Sequence, residues 1–203
     1  MAKLKIYTYP DQVLKEKAAP IERVEKSFHR LADDMLETMY DAPGIGLAAN
    51  QVGILQRILV IDVDWETDDP EGEGTGEGAS GSGVILHRNP RILINPTIVY
   101  REGEAAIAEG CLSVPEYRAE VKRAEKIKVE YRDIDGLTKT LDADGLLAIC
   151  VQHEMDHLDG KLFIDRLSPI KRELAQKKLI KARAETDPEF VEAVMKRKPR
   201  GGG

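Results

Sequence analysis

The chain has 203 residues, 42% hydrophobic and 33% charged, with a net charge of −6. That length fits one domain with a real core, and the acidic balance gives no global electrostatic case for DNA or RNA. Two cysteines, Cys111 and Cys150, are too few for a disulfide framework, the opening MAKLKIYTYPDQ lacks a signal-peptide core, and no apolar run is long enough to span a bilayer, so the expected setting is a reducing cytoplasm without membrane attachment.

Residues 27–41 place Phe28, Leu31, Met35 and Met39 at helical spacing, with Ser27 as the N-cap and Pro43-Gly44 as the stop. Residues 57–63, RILVIDV, read as an apolar strand. Residues 64–83 hold seven acids, six glycines and no Lys or Arg. Such a stretch buries too little apolar surface to offset its ordering entropy, which predicts a flexible insertion between two strands, with an acidic docking loop as the functional alternative. Residues 84–94 carry VILHRNPRILI, and Asn95-Pro96 is expected to break the chain before a further strand, TIVYREGE. Residues 119–132 alternate through Val121, Ile127, Val129 and Tyr131, and Asp135-Gly136 offers a hairpin turn into a strand near 137–141. A helix is expected over about 145–159. A basic one is expected over about 169–184, with Ser168 as N-cap and Pro169 at the first helical position. Short antiparallel runs beside few helices predict an α+β fold: antiparallel strands packed around a central buried helix, with a C-terminal helix. The expected division is a catalytic domain over 1–168 and a basic helix with a frayed end over 169–203.

The central helix carries the chemistry. Residues 152–160 read QHEMDHLDG, in which His153-Glu154-x-x-His157 is the HExxH pattern. Residues four apart share a helix face, so two imidazoles can reach one cation, while Glu154 flanks it and is free to move a proton. Leu146, Ile149, Cys150, His153 and His157 share one arc, and Leu147, Ala148, Val151 and Met155 make the opposite side apolar too. A helix apolar nearly all round is buried, and buried histidines need partners. A structural histidine pair is the plainer alternative.

The third ligand is open at this level. The longer metzincin pattern needs a histidine where this chain has Phe163, so it fails. Glu173 and Glu185 are formal candidates in the basic tail. Cys111 in EGCLSVP is the better one: Gly110 permits close approach, and two His with one thiolate leave a coordination position open. Its plainer reading is a small buried hydrophobe. The segment Gly44-Ile45-Gly46-Leu47-Ala48-Ala49-Asn50-Gln51 lets backbone pass close to a ligand, and Gln51 is either a surface amide or an oxyanion donor.

Three motifs in order, GIGLAANQ, EGCLS and QHEMDHLDG, resemble those of the peptide deformylases, most closely the bacterial type I class. The likeness extends over most of residues 3–170, with the acidic insertion as the main departure. The resemblance implies hydrolysis of the N-formyl group from the initiator N-formylmethionine of nascent polypeptides, through a metal-activated water. Carried over, Cys111, His153 and His157 match the metal ligands, Glu154 the general acid/base, and Gln51 with the Leu112 backbone N–H the oxyanion donors. Gly46 and Gly110 match backbone contacts to the peptide. Ile45, Ile107, Glu109, Leu146, Ile149 and Cys150 match the methionine pocket, and Arg118 a position near the bound chain. Glu109 and Asp156 are candidates for orienting the site, with a solvated helix charge, or a pair with an arginine such as Arg123, as the plainer readings of Asp156. The cofactor implied is one divalent ion, Fe(II) in many bacterial members, with Zn(II), Ni(II) and Co(II) as alternatives.

Residues 168–203 carry ten basic and five acidic side chains. A solvated helix face is one reading; the other, which the resemblance implies, is docking on the ribosome through phosphate contacts. Two rival functions stand beside deformylation: a generic HExxH metallopeptidase, and a non-catalytic metal- or ribosome-binding module. Neither the peptidase nor the module needs the Cys111 motif, Glu154 and Gln51 all together.

Overall fold

The computed structural model describes residues 2–67 and 85–197. Helix α1 (Lys26–Asp41) leads into β1 (Gly46–Ala48) and β2 (Ile58–Ile61). A short hairpin of β3 (Glu66–Thr67) and β4 (Ile85–His87) follows, then β5 (Arg91–Glu102). The chain continues through β6 (Ala105–Cys111), β7 (Val114–Arg123), β8 (Lys126–Arg132) and β9 (Thr138–Asp144). It closes with helices α2 (Gly145–Leu158), α3 (Pro169–Thr186) and α4 (Pro188–Arg197).

Strands β1, β2, β5, β8 and β9 form one antiparallel sheet in the order β1-β2-β5-β8-β9. The run ILVI of β2 is buried on both faces, which is why its sequence does not alternate. Ile58, Val60 and Ile94 pack with Met35 and Met39 of α1. Leu59, Ile61 and Leu93 pack with Ala148, Val151 and Leu158 of α2. The sheet is therefore a middle layer between two helices, and the α+β architecture with its C-terminal helix stands. A second hairpin, β6–β7, is separate from the large sheet and lies over the remaining face of α2. A third cluster joins Val114 and Val121 of β7 to Phe163, Ile164, Ala175 and Leu179.

Several expectations need correction. Ser27 does not cap α1: the helix starts one residue earlier, behind an extended Glu25 with no side-chain cap. Asn95-Pro96 does not break the strand. Asn95 takes φ 51, the register to β8 shifts there, and the Asn95 side chain bonds both the N–H and the C=O of Ile21 at 2.9 and 2.7 Å. A bulge thus carries β5 through a sequence that reads as a stop. The alternation over 119–132 is two strands in two sheets, parted at Ala124-Glu125. The Asp135-Gly136 turn forms as expected, with Gly136 at φ 82 and β8 and β9 in unbroken register.

Of the acidic stretch 64–83, residues 68–83 lie outside the described residues. Its opening does not: Trp65 is fully buried in the α1 core, and Asp64 accepts from the Asn89 side chain at 3.0 Å. The tail reads differently as well. Helix α3 is not a wholly solvated face, because Ala175 and Leu179 are buried, and a further helix, α4, follows it. Residues 198–203 of the expected frayed end lie outside the described residues.

Candidate metal centre and its pocket

Helix α2 brings His153 and His157 to one side, with their Nε2 atoms 3.3 Å apart. The β6–β7 turn, closed by the Cys111–Val114 pair, brings Cys111 Sγ to 3.2 Å from His157 Nε2. Among the described residues these three form a metal-capable group, every ligand atom within 4.8 Å of the others. Two metal–nitrogen bonds of about 2.0–2.1 Å at a tetrahedral angle leave their nitrogens about 3.3–3.4 Å apart. The donor set therefore fits a divalent ion, and both imidazoles offer the same nitrogen to it. Glu173 and Glu185, the formal alternatives, instead pair with Lys177 and Lys181 on α3.

The cluster is held from behind by buried charge. His153 Nδ1–H donates to Glu109 Oε2 at 2.8 Å, which leaves Nε2 for the metal. The Arg123 guanidinium grips both oxygens of Glu109 and reaches Asp156 Oδ2 at 2.9 Å. Arg166 closes the chain on Asp156 with contacts of 2.5 and 2.6 Å. Burial works to raise the Glu109 and Asp156 carboxyls, but these hydrogen bonds hold both below the usual carboxylate range. Phe163, the residue that excluded the metzincin pattern, stacks on the His153 ring with centroids 6.0 Å apart.

Glu154 lies in a different environment. It is buried, its Oε2 has no hydrogen-bond partner among the described residues, and burial pushes its carboxyl up to about 7. A methyl group on Gly46 would sit 2.6 Å from Glu154 Oε1 and 2.9 Å from Cys150 Sγ, so only glycine lets that backbone pass. Gln51 is fixed at both ends of its amide. Its Oε1 accepts from the Ala48 N–H at 2.7 Å, and its Nε2 donates to Ser113 Oγ at 3.2 Å, 3.6 Å from Cys111 Sγ.

A cavity of about 800 Å³ opens beside the cluster. Ile45 of the α1–β1 connection and Gly46 at the start of β1 line it, and Gln51 reaches it from the short helix after β1. From β6 come Ile107, Glu109, Gly110 and Cys111, followed by Leu112 in the turn and Arg118 on β7. Leu146, Ile149, Cys150, His153 and Glu154 come from α2. His157 lies behind them, fully buried. Leu146 is 45% exposed, because it stands at the mouth rather than in the floor. Glu109 contributes wall but turns its carboxylate away toward Arg123 and His153. Gly44 lines the cavity too, as its place in the Gly44–Gln51 segment suggested, whereas sequence reasoning missed Glu116 and Tyr117 in this lining and Arg166 behind the ligands. Glu116 and Tyr117 stand between the EGCLSVP motif and Arg118, but nothing local marks them.

Comparison with known proteins identifies the family and the fold. The family model for polypeptide deformylase matches residues 3–173. The chain belongs to the peptide deformylase family. Peptide deformylase 2 of Xanthomonas campestris pv. campestris is 50% identical over 186 residues, 90% of this chain and 98% of that protein. The peptide deformylase of Alkalilimnicola ehrlichii is 50% identical over 181 residues, 89% of this chain and 91% of that protein. Among solved structures, the Ehrlichia chaffeensis deformylase superposes with a TM-score of 0.76 at 40% identity, covering 92% of this chain and 99% of that one. A second structure from that organism, in complex with actinonin, gives 0.76 at 38% identity, with the same coverage. The relatives are enzymes, and so is this deformylase-family chain. No helix among its described residues is long and apolar enough to cross a membrane.

Proposed function

We propose that this chain hydrolyses the formamide of N-formylmethionyl peptides, releasing formate and a free N-terminal amine. The observation that carries the reading is the convergence of Cys111, His153 and His157 beside a buried Glu154, with Cys111, His153 and Glu154 lining one pocket and His157 directly behind them. A divalent ion held by those three residues would supply Lewis acidity and make bound water acidic enough to react near neutral pH. Glu154 accepts the proton of the attacking water and returns it to the departing nitrogen, a transfer its raised proton affinity suits. Gln51 Nε2 and the Leu112 N–H donate to the oxyanion that develops on the formyl oxygen. Ile45, Ile107, Leu146, Ile149 and Cys150 hold the unbranched methionine side chain. Gly46 and Gly110 let peptide backbone lie close, and Arg118 meets the chain further on.

Fe(II) is the proposed ion in the cell, with Zn(II), Ni(II) or Co(II) as substitutes, since a thiolate with two imidazoles accepts all of them. Action on nascent chains implies a cytoplasmic enzyme, in keeping with two free thiols. The test is formate release from a formyl-Met tripeptide by anaerobically prepared protein loaded with Fe(II), Ni(II) or Zn(II). Turnover is expected, absent on the unformylated peptide. Cys111→Ser should lower the bound metal well below one equivalent. Cleavage of internal amides, or unchanged metal content in that variant, would defeat the reading.

We also propose that α3 meets ribosomal RNA. Lys171, Lys177, Lys178 and Lys181 are exposed on it, Lys177 and Lys181 in solvent-exposed pairs with Glu173 and Glu185, while Arg183 is half-buried and held by Asp187 at 2.8 Å and by Thr8. Because Ala175 and Leu179 are core residues, the charges rather than the helix should be removed. Reversing those four lysines to Glu should abolish cosedimentation with ribosomes at low salt while leaving tripeptide turnover unchanged; persistent cosedimentation would refute the docking.

A further inference from the structure

The wall of the pocket opposite α2 is braced in part by the segment that follows β2. Gly44 and Ile45 lie in the connection between α1 and β1, and their carbonyls accept from the segment beyond β2, the Ile45 carbonyl also lying 3.6 Å from Cys150 Sγ on α2. The Gly44 carbonyl accepts from Trp65 Nε1–H at 3.0 Å. The Ile45 carbonyl accepts from the Asp62 N–H at 3.0 Å. Both donors belong to the segment that leaves β2 and enters the β3–β4 hairpin.

Trp65 is itself anchored. Its indole meets the Tyr40 ring edge-on, with centroids 5.5 Å apart. The Tyr40 hydroxyl donates to Asp62 Oδ2 at 2.7 Å, and the same oxygen takes the Asn89 N–H at 2.7 Å. Arg88 covers the Tyr40 ring at 4.3 Å. On its other side Gly44 presses on the oxyanion corner: a methyl there would stand 2.8 Å from Leu112 Cδ1. A line of contacts therefore runs from Tyr40 through Trp65 and Gly44 to Leu112, across the end of the pocket.

We propose that Trp65 is a positioning residue for substrate, holding the Gly44–Gly46 backbone and, through Gly44, the Leu112 side chain at the spacing that the formylmethionyl chain requires. The stem of the β3–β4 hairpin then sets the width of the pocket. This rests on the reading of the cavity as the formyl-peptide site. Trp65 touches neither the proposed ligands nor Glu154, so its loss weakens substrate and transition state together.

The test is Trp65→Phe, which keeps an aromatic ring in the core and deletes the N–H. With the formyl-Met tripeptide, KM should rise about three- to tenfold, the range of one neutral hydrogen bond, while kcat stays within about twofold and metal content is unchanged. Tyr40→Phe leaves Trp65 in place and cuts its brace to Asp62; it should move KM in the same direction by less. Hydrogen–deuterium exchange needs no turnover and separates this idea from the functional reading. In the free Trp65→Phe protein, amides of residues 44–48 should exchange several-fold faster while α2 keeps its protection. An unchanged KM, or equal exchange over 44–48, would overturn the assignment. So would loss of protection across α2 and the large sheet, which would mark Trp65 as a general core residue.

Discussion

Replacing Glu154 with Gln should cut formate release by about 10²–10⁴-fold while the protein keeps its full equivalent of metal. Glu154 stands outside the Cys111–His153–His157 donor set, so metal affinity does not depend on it. Its carboxyl is buried, pushed up to about 7 by that burial, and its Oε2 has no partner among the described residues. A group in that state can both take and give a proton at neutral pH; an amide of the same shape can do neither. The neutral amide also relieves the desolvation of a carboxylate, so the variant should melt no lower than the parent. Formate assays, metal analysis and a melting curve on one preparation check all three statements. Retained turnover would remove Glu154 from the reaction, and lost metal would make it a ligand.

Replacing Arg123 with Met should be the most damaging single change away from the pocket. The guanidinium is 1% exposed and lies between Glu109 and Asp156, whose side chains are 4% and 9% exposed. Removing one partner of a buried pair leaves uncompensated charge, which costs about 3–5 kcal/mol. For a chain of this length each kcal/mol is worth about 2–4 °C, so Tm should fall by roughly 6–20 °C. The damage should also reach the metal. Freed from Arg123, Glu109 can turn from His153 Nδ1, and ligand orientation loosens; losing such support typically costs about 10–100-fold in metal affinity. Arg123→Lys keeps the charge without the planar fork, and should recover part of the stability but less of the metal affinity. A metal titration and a thermal melt on both variants decide it. A Met variant with parental Tm and affinity would show that Asp156, with Arg166, holds the helix without Arg123.

The chain by itself determined the parts of this protein that are periodic and local. His153 and His157 are four residues apart, so any helix through QHEMDHLDG presents both on one side. The apolar run RILVIDV predicted a strand, which the structure shows over Ile58–Ile61, and Asp135-Gly136 predicted its hairpin. The three motifs, in order, carried the resemblance to the deformylases that the family match then bore out.

Only the tertiary structure decided what depends on pairs distant along the chain. Cys111 lies 46 residues from His157, and nothing in EGCLSVP measures the distance that the β6–β7 turn closes to 3.2 Å. Arg123 bridges Glu109 and Asp156 across 14 and 33 residues, so a buried bidentate clamp looks in sequence like one more charge in an alternating strand. Local signals failed where packing outweighed them. Asn95-Pro96 reads as a stop, yet the bulge and two hydrogen bonds to Ile21 carry the strand through it. Trp65 sits among acids whose composition predicts a solvated loop, yet its indole is buried and bonded to Gly44. Composition averages over neighbours, whereas burial is settled residue by residue, by whichever side chain finds a complementary cavity and a partner for its polar atom.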